Sequence, residues 1–116
     1  MGKEPKAIIC GILEKDGKIL FLEKDGKLEL PWVYGSQAGD TIGQIAEAYL
    51  KKTDVKVSPG PVIMEAKSDL PVHVLKMEPR AEIKPEPASG YSIVWLTLEE
   101  AAKRPLAKHF EWISSL

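Results

Sequence analysis

Two Asp-Gly pairs, Asp16-Gly17 and Asp25-Gly26, constrain this chain more than any other feature. Asp-Gly supplies the two consecutive positive-φ positions of a tight hairpin turn, and each pair here stands between apolar runs. Lys6 to Leu13 therefore reads as a central strand, Ile19 to Leu22 as its return, and Leu28 to Leu30 as a short third strand stopped by Pro31. A chain that opens this way must find something to cover the faces of a sheet.

The next segment offers that cover. Trp32 to Gly39 reads as a loop, and Gly39-Asp40-Thr41 opens a helix that Asp40 or Thr41 caps by accepting backbone N–H bonds. Ile42, Ile45, Ala46, Tyr49 and Leu50 form one apolar stripe at helical spacing, with Gln44, Glu47, Lys51 and Lys52 opposite. The helix is expected to end near Lys52 or Thr53. Val55 to Val57 reads as a strand broken by Ser58-Pro59-Gly60-Pro61, followed by strands over Val62 to Met64 and Val72 to Met77. The loop from Met77 to Tyr91 is rich in proline (Pro79, Pro85, Pro87), with an irregular edge segment expected around Ala81 to Ile83. Ser92 to Leu96 is a strand with Trp95 in the core, Thr97 caps a short helix from Leu98 to Lys103, and Ala107 to Ser114 forms a terminal helix docked by Trp112. Strands, helix, strands, then short helices predict a mixed sheet with helices packed on it.

Composition sets the limits. At 116 residues with 44% hydrophobic side chains, the chain supplies one core and one domain. A formal charge of −1 gives no overall field for nucleic acid. No apolar run approaches the roughly 18 residues of a membrane span, the polar start lacks a secretory apolar region, and Lys6 stands where myristoylation prefers Ser or Thr after Gly2. A cytoplasmic setting is the expectation. Cys10 reads as a small buried hydrophobe, without the neighbouring base that a reactive thiol needs. His73 and His109 stand far apart, without zinc spacing, and His73 is expected on the strand face opposite Val72 and Val74.

The order Leu28-Glu29-Leu30-Pro31, loop, Gly39-Asp40-Thr41, amphipathic helix, Thr53-Asp54-Val55-Lys56-Val57 resembles one family, the Nudix pyrophosphohydrolases. Their box runs Gly, five residues, Glu, seven residues, then Arg-Glu-aliphatic-any-Glu-Glu-any-Gly-aliphatic, usually after Glu-Leu-Pro-Gly. Ile8 to Leu22 is similar to the family's first hairpin, and Val94-Trp95-Leu96-Thr97-Leu98-Glu99-Glu100-Ala101 to its strand-into-helix ending. The resemblance covers nearly the whole chain. It implies a single Nudix-like domain over 1–116, of α/β (α+β) class, with a mixed β-sheet sandwiched by helices.

The box departs from the family where its chemistry lies. Active members hold magnesium on box glutamates, oxygen ligands suited to a hard cation. Anchored on Gly39-Asp40-Thr41, with Ile45, Ala46 and Leu50 at the family's apolar positions, the preferred register sets Tyr49, Lys52 and Thr53 at the glutamate positions and Ala48 at the arginine. Anchored on Asp54-Val55, the other register sets Ala48, Lys51 and Lys52 there, with Glu47 at the arginine. Neither register puts a glutamate at a metal position, and Trp32-Val33 replaces the family's two glycines after Leu-Pro.

The resulting expectation is a catalytically impaired Nudix-fold protein that binds a nucleotide or other phosphorylated small molecule, or a protein partner. Lys51 and Lys52 would supply charge in place of metal, with Tyr49 and Thr53 beside them, and Trp32 and Tyr34 would stack on a base. The plainer reading makes the lysines solvated helix-end charges and Trp32 a core residue. The alternative function is an active hydrolase with displaced acids. Asp40, Glu47 and Glu65 are then the catalytic candidates, Asp54 and Asp69 further acids nearby, and Mg2+ a requirement. No metal ligand is assigned otherwise. A homodimer is the third expectation, with Pro79 to Pro87 as one contact; neither nucleic acid nor membrane is an expected partner.

Overall fold

The computed structural model describes residues 6–35 and 41–116, the side chains of Thr41 and Ile42 excepted. Both Asp-Gly pairs make the expected turns. Asp16 and Gly17 have φ of 54° and 80°, and Asp25 and Gly26 have 54° and 77°, the signature of type I′ hairpins. The turns join β1 (Ala7–Ile12) and its continuation β2 (Glu14–Lys15) to β3 (Lys18–Lys24), and β3 to β4 (Lys27–Glu29).

Trp32–Gly35, expected as loop, is instead a strand, β5, paired antiparallel with β1 from Ala7↔Gly35 to Cys10↔Trp32. Its residues are aromatic and β-branched, as pleated edges favour. Helix α1 (Thr41–Thr53) follows, then β6 (Val57–Lys67), β7 (Pro71–Pro79), β8 (Ser92–Leu96) and the short α2 (Leu98–Ala101). Ser58-Pro59-Gly60-Pro61 does not break the chain as expected. It runs within β6, which lies at a sheet edge where a missing N–H is tolerated, and the cost appears as register shifts between Pro59, Val62 and Met64. The terminal helix expected over Ala107 to Ser114 is only a 3-10 turn, Glu111–Ser115. No strand forms around Ala81 to Ile83. Among the described residues no helix is long and apolar enough to cross a membrane.

The first sheet has the order β5-β1-β7-β6, with β1 and β7 parallel and the other pairs antiparallel. The second is β2-β3-β4 with β8 on β3. Period-two alternation along β1 divides the interior. Ile8, Cys10 and Ile12 face a core with Phe21, Val72, Val74, Phe110, Trp112 and Ile113. Ile9 and Leu13 face a second core with Leu20, Leu75, Met77 and the α1 residues Ile45, Ala48 and Tyr49. So one face of the first sheet lies under α1, and the other under the second sheet, α2 and the C-terminal turn. Cys10 is buried as expected, and burial pushes its thiol up to about 12. Trp95 is only partly buried, at the margin of the second core.

The stripe that α1 buries differs from the expected one. Ile45, Ala48, Tyr49 and Thr53 are buried, whereas Leu50 is 44% exposed. The cause is a notch in β1. A Cβ at Gly11 would stand 2.6 Å from Met77 Cγ and 2.7 Å from Tyr49 Cε2 and Oη, so only glycine admits the Tyr49 ring. Tyr49 drops into that notch and turns Leu50 outward. Its hydroxyl is buried without a partner, and burial raises its pKa well above the ordinary phenol value.

Gly11→Ala is therefore expected to destabilise the fold by about 1–3 kcal/mol in urea unfolding, because a close-packed site gains a methyl with nowhere to go. Tyr49→Phe, which keeps the ring and removes the unpartnered hydroxyl, is expected to be neutral or more stable by up to about 1 kcal/mol.

Candidate functional site

The rotation of α1 decides which residues face the cleft between the helix and β5. A groove of about 350 Å³ is lined there by Trp32, Val33, Gln44, Glu47, Ala48, Lys51 and Lys52. Glu47 also borders a neighbouring groove of about 390 Å³, where Ala46 and Leu50 meet Lys56, Val57 and Arg80.

The end of α1 is fixed by three backbone hydrogen bonds. Asp54 sits at φ 57°, and its N–H donates to the Leu50 carbonyl at 3.0 Å, a left-handed helix cap with aspartate where glycine is usual. The carbonyls of Thr53 and Lys52 accept from the N–H groups of Glu86 (2.8 Å) and Ala88 (3.0 Å) in the proline-rich segment. That segment thus straps the helix end. It also delivers Tyr91 to Lys52, whose ammonium lies 5.7 Å from the Tyr91 ring and 5.9 Å from the Trp32 ring. Lys24 Nζ also lies over the Tyr91 ring, 5.2 Å from its centroid.

Glu29 completes the cluster. Its carboxylate stands 3.9 Å from Lys52 Nζ, its side chain is 13% exposed, and Oε2 has no hydrogen-bond partner among the described residues. Burial raises its pKa, and Lys52, the Trp32 side chain and Lys24 partly offset the rise. Lys52 is thus a half-buried cation beside two aromatic rings and one half-buried acid, while Lys51 beside it is exposed.

The structure separates the other candidates. Tyr49 and Thr53, expected beside a ligand, are both fully buried; the Thr53 hydroxyl donates to the Tyr49 carbonyl at 2.6 Å. Both side chains are taken up by the packing of the helix. Tyr34 is turned away from the groove, 3.4 Å from His109 Nε2, while Ser68 Oγ lies 3.0 Å from His109 Nδ1. The His109 ring packs edge-on against Trp32 at 5.1 Å, buried and at φ 79°, so it braces the groove wall from behind. Glu65 pairs with His73 at 2.7 Å on β6 and β7, and Asp69 with Lys108 at 3.3 Å, both outside the groove lining. Asp40 lies outside the described residues. Buried Tyr49 and Val55, exposed Leu50 and the left-handed Asp54 fit the register anchored on Asp54-Val55, in place of the one preferred from the sequence. Among the described residues no three of His, Cys, Asp and Glu lie together as a metal set.

Sequence reasoning passed over Glu29, Tyr91 and His109. Glu29 stood in the quoted Glu-Leu-Pro but carried no sign of burial. Tyr91 gave no signal at all, because a strap across a helix end is a long-range arrangement.

Because the folded state raises the pKa of Glu29, it binds more protons than the unfolded chain. This contribution to stability is present below the unfolded carboxyl value and declines as pH rises through the folded one. Glu29→Gln removes it. Denaturation of both proteins across pH 4 to 7 is expected to show the wild-type stability falling relative to the variant as pH rises, then levelling.

No protein-family model matches the sequence, and no curated protein sequence does. Solved structures do. An ADP-ribose pyrophosphatase from Streptococcus suis matches with a TM-score of 0.72 at 13% identity, over 90% of this chain and 81% of that one. The MutT protein from Methanosarcina mazei Go1 matches at 0.70 and 14%, over 99% and 94%. A Nudix hydrolase from Nitrosomonas europaea matches at 0.68 and 15%, over 84% and 60%. At such identities the likeness is one of architecture, and it agrees with the arrangement of sheets around α1: this chain has the fold of the Nudix hydrolases.

Proposed function

We propose that this chain is a Nudix-fold binding protein that takes a nucleotide or similar phosphorylated small molecule at the α1 groove without metal-dependent pyrophosphohydrolysis. The observation that carries the reading is the groove's charge: among the described residues Lys51 and Lys52 line it with one acid, Glu47, while Glu29 stands 3.9 Å from Lys52 Nζ. Magnesium seeks several carboxylate or phosphate oxygens, and two ammonium groups repel it. In the register that the helix burial favours, Ala48, Lys51 and Lys52 occupy the positions of the family's metal-holding glutamates. Among the described residues the donor set does not fit the metal.

The same groups suit an anion. Lys51 and Lys52 offer six N–H donors to phosphate oxygens at the helix end, and Trp32 gives an apolar face on the groove wall. The solved structures that share the fold include an ADP-ribose pyrophosphatase and a UDP-X diphosphatase, which supports nucleotide derivatives as the ligand class to try first. Fold alone does not assign a reaction, so the charge of the groove carries more weight than the likeness.

Two measurements test this. Titration calorimetry with nucleoside diphosphates in chelator is expected to show binding, weakened about 5- to 10-fold by either Lys51→Ala or Lys52→Ala. Turnover of a panel of nucleoside diphosphate derivatives with Mg2+ or Mn2+ is expected to be nil. Metal-dependent turnover lost in a folded Glu47→Ala variant would overturn the reading in favour of an active hydrolase with displaced acidic ligands.

A further inference from the structure

Strand β6 is the free edge of the first sheet. Along its first half Pro59 and Pro61 remove N–H groups, and register shifts interrupt pairing up to Met64. From Met64 to Lys67 the pairing with β7 is regular, running Met64↔Val74, Glu65↔His73, Ala66↔Val72 and Lys67↔Pro71. Met64 and Ala66 pack on the first core, so Glu65 and Lys67 stand on the other face. Both are exposed, and Lys67 belongs to no ion pair among the described residues. Just before them Val62 and Ile63 are 52% and 49% exposed, large apolar groups on an open edge.

We propose that a second copy of this chain pairs on this edge, β6 against β6 and antiparallel, about a two-fold axis at Ala66. An axis perpendicular to the sheet sets one residue opposite itself and keeps the core faces of both copies on the same side. Charge then selects the register. About Ala66, Glu65 of each copy lies directly opposite Lys67 of the other, giving two symmetric ion pairs. About Glu65, glutamate faces glutamate; about Met64, Glu65 faces Ile63 and Lys67 faces Pro61. Opposite charges across strands attract and like charges directly opposite repel, so the Ala66 register wins. Joined in this way, β5-β1-β7-β6 becomes one eight-stranded sheet. Charges on an edge ordinarily block pairing; here Glu65 and Lys67, two residues apart and opposite in sign, block other strands and admit their own antiparallel copy.

The test is sedimentation of the full chain from micromolar to millimolar concentration. A concentration-dependent dimer is expected. Glu65→Lys or Lys67→Glu alone turns both ion pairs into like-charge contacts and is expected to weaken association by about 10-fold or more. The double reversal restores the pairs with their signs exchanged and is expected to recover most of the affinity. Both Glu65→Lys and the double variant lose the His73 contact, so recovery in the double isolates the contact between copies. Circular dichroism confirms that these exposed substitutions leave the fold intact. A chain that stays monomeric at millimolar concentration overturns the proposal, as does a dimer indifferent to the single reversals or a double variant no tighter than either single one.

Discussion

The Tyr49 ring seated in the Gly11 notch is the contact on which the rest of the arrangement depends. A helix lying on a sheet can rotate about its own axis at modest cost unless one large side chain has a single place to go. Tyr49 is fully buried, and the Gly11 notch has no room even for a methyl. With that rotation fixed, Ala48 faces inward, Leu50 faces water, and Gln44, Glu47, Lys51 and Lys52 face β5. The charge of the groove is therefore a consequence of a core contact made one turn of helix away. The buried phenol oxygen left without a partner costs stability, which the packing of the ring must exceed.

A second constraint acts at the helix end. The last carbonyls of an α-helix need donors, and here the chain spends backbone N–H groups of a remote segment on two of them. Prolines suit such a strap, because they hold it extended and keep it from competing for a sheet edge. By binding the carbonyls of Lys52 and Thr53, the strap fixes Tyr91 against the Lys52 side chain. His109 does comparable work on the far side, where a buried imidazole held between Tyr34 and Ser68 supports Trp32.

Much of this was legible in the sequence wherever a local signal decides the outcome. Asp-Gly sets a turn whatever surrounds it, and Thr97 with Glu100 forms a reciprocal capping box at α2. The first hairpin, α1 and the order of later strands follow from such signals. What was not legible depends on partners distant in the chain. Trp32 to Gly35 forms a strand because β1 offers an open edge; its aromatic and β-branched residues permit a strand, but four residues after a proline do not announce one. Ser58 to Pro61 reads as a break unless the strand is known to lie at an edge. The stripe on α1 was legible at Ile45 and Tyr49, but Leu50 was assigned to the core in place of the smaller Ala48, because the glycine on β1 that seats Tyr49 and sets the helix rotation is remote in sequence. At the groove, Lys51 and Lys52 were found as charges, but Glu29 and Tyr91, which decide how Lys52 behaves, could only emerge from the folded chain.

The two lysines at the helix end are consequently unlike each other. Lys52 has lost part of its hydration and lies between two rings, beside an acid whose ionised form burial already disfavours. An anion arriving there competes with Glu29 for one ammonium, and its own negative charge disfavours the glutamate's ionised form further. Lys51 is exposed and belongs to no ion pair or ring contact among the described residues. An exposed lysine gives attraction without direction, because a flexible point charge satisfies many geometries. A lysine held by rings and a carboxylate gives direction at the cost of competition. A groove with one of each can draw an anion in through the first and orient it through the second, and that division of labour rests on Glu29, at the end of β4, whose side chain is 13% exposed beside Lys52.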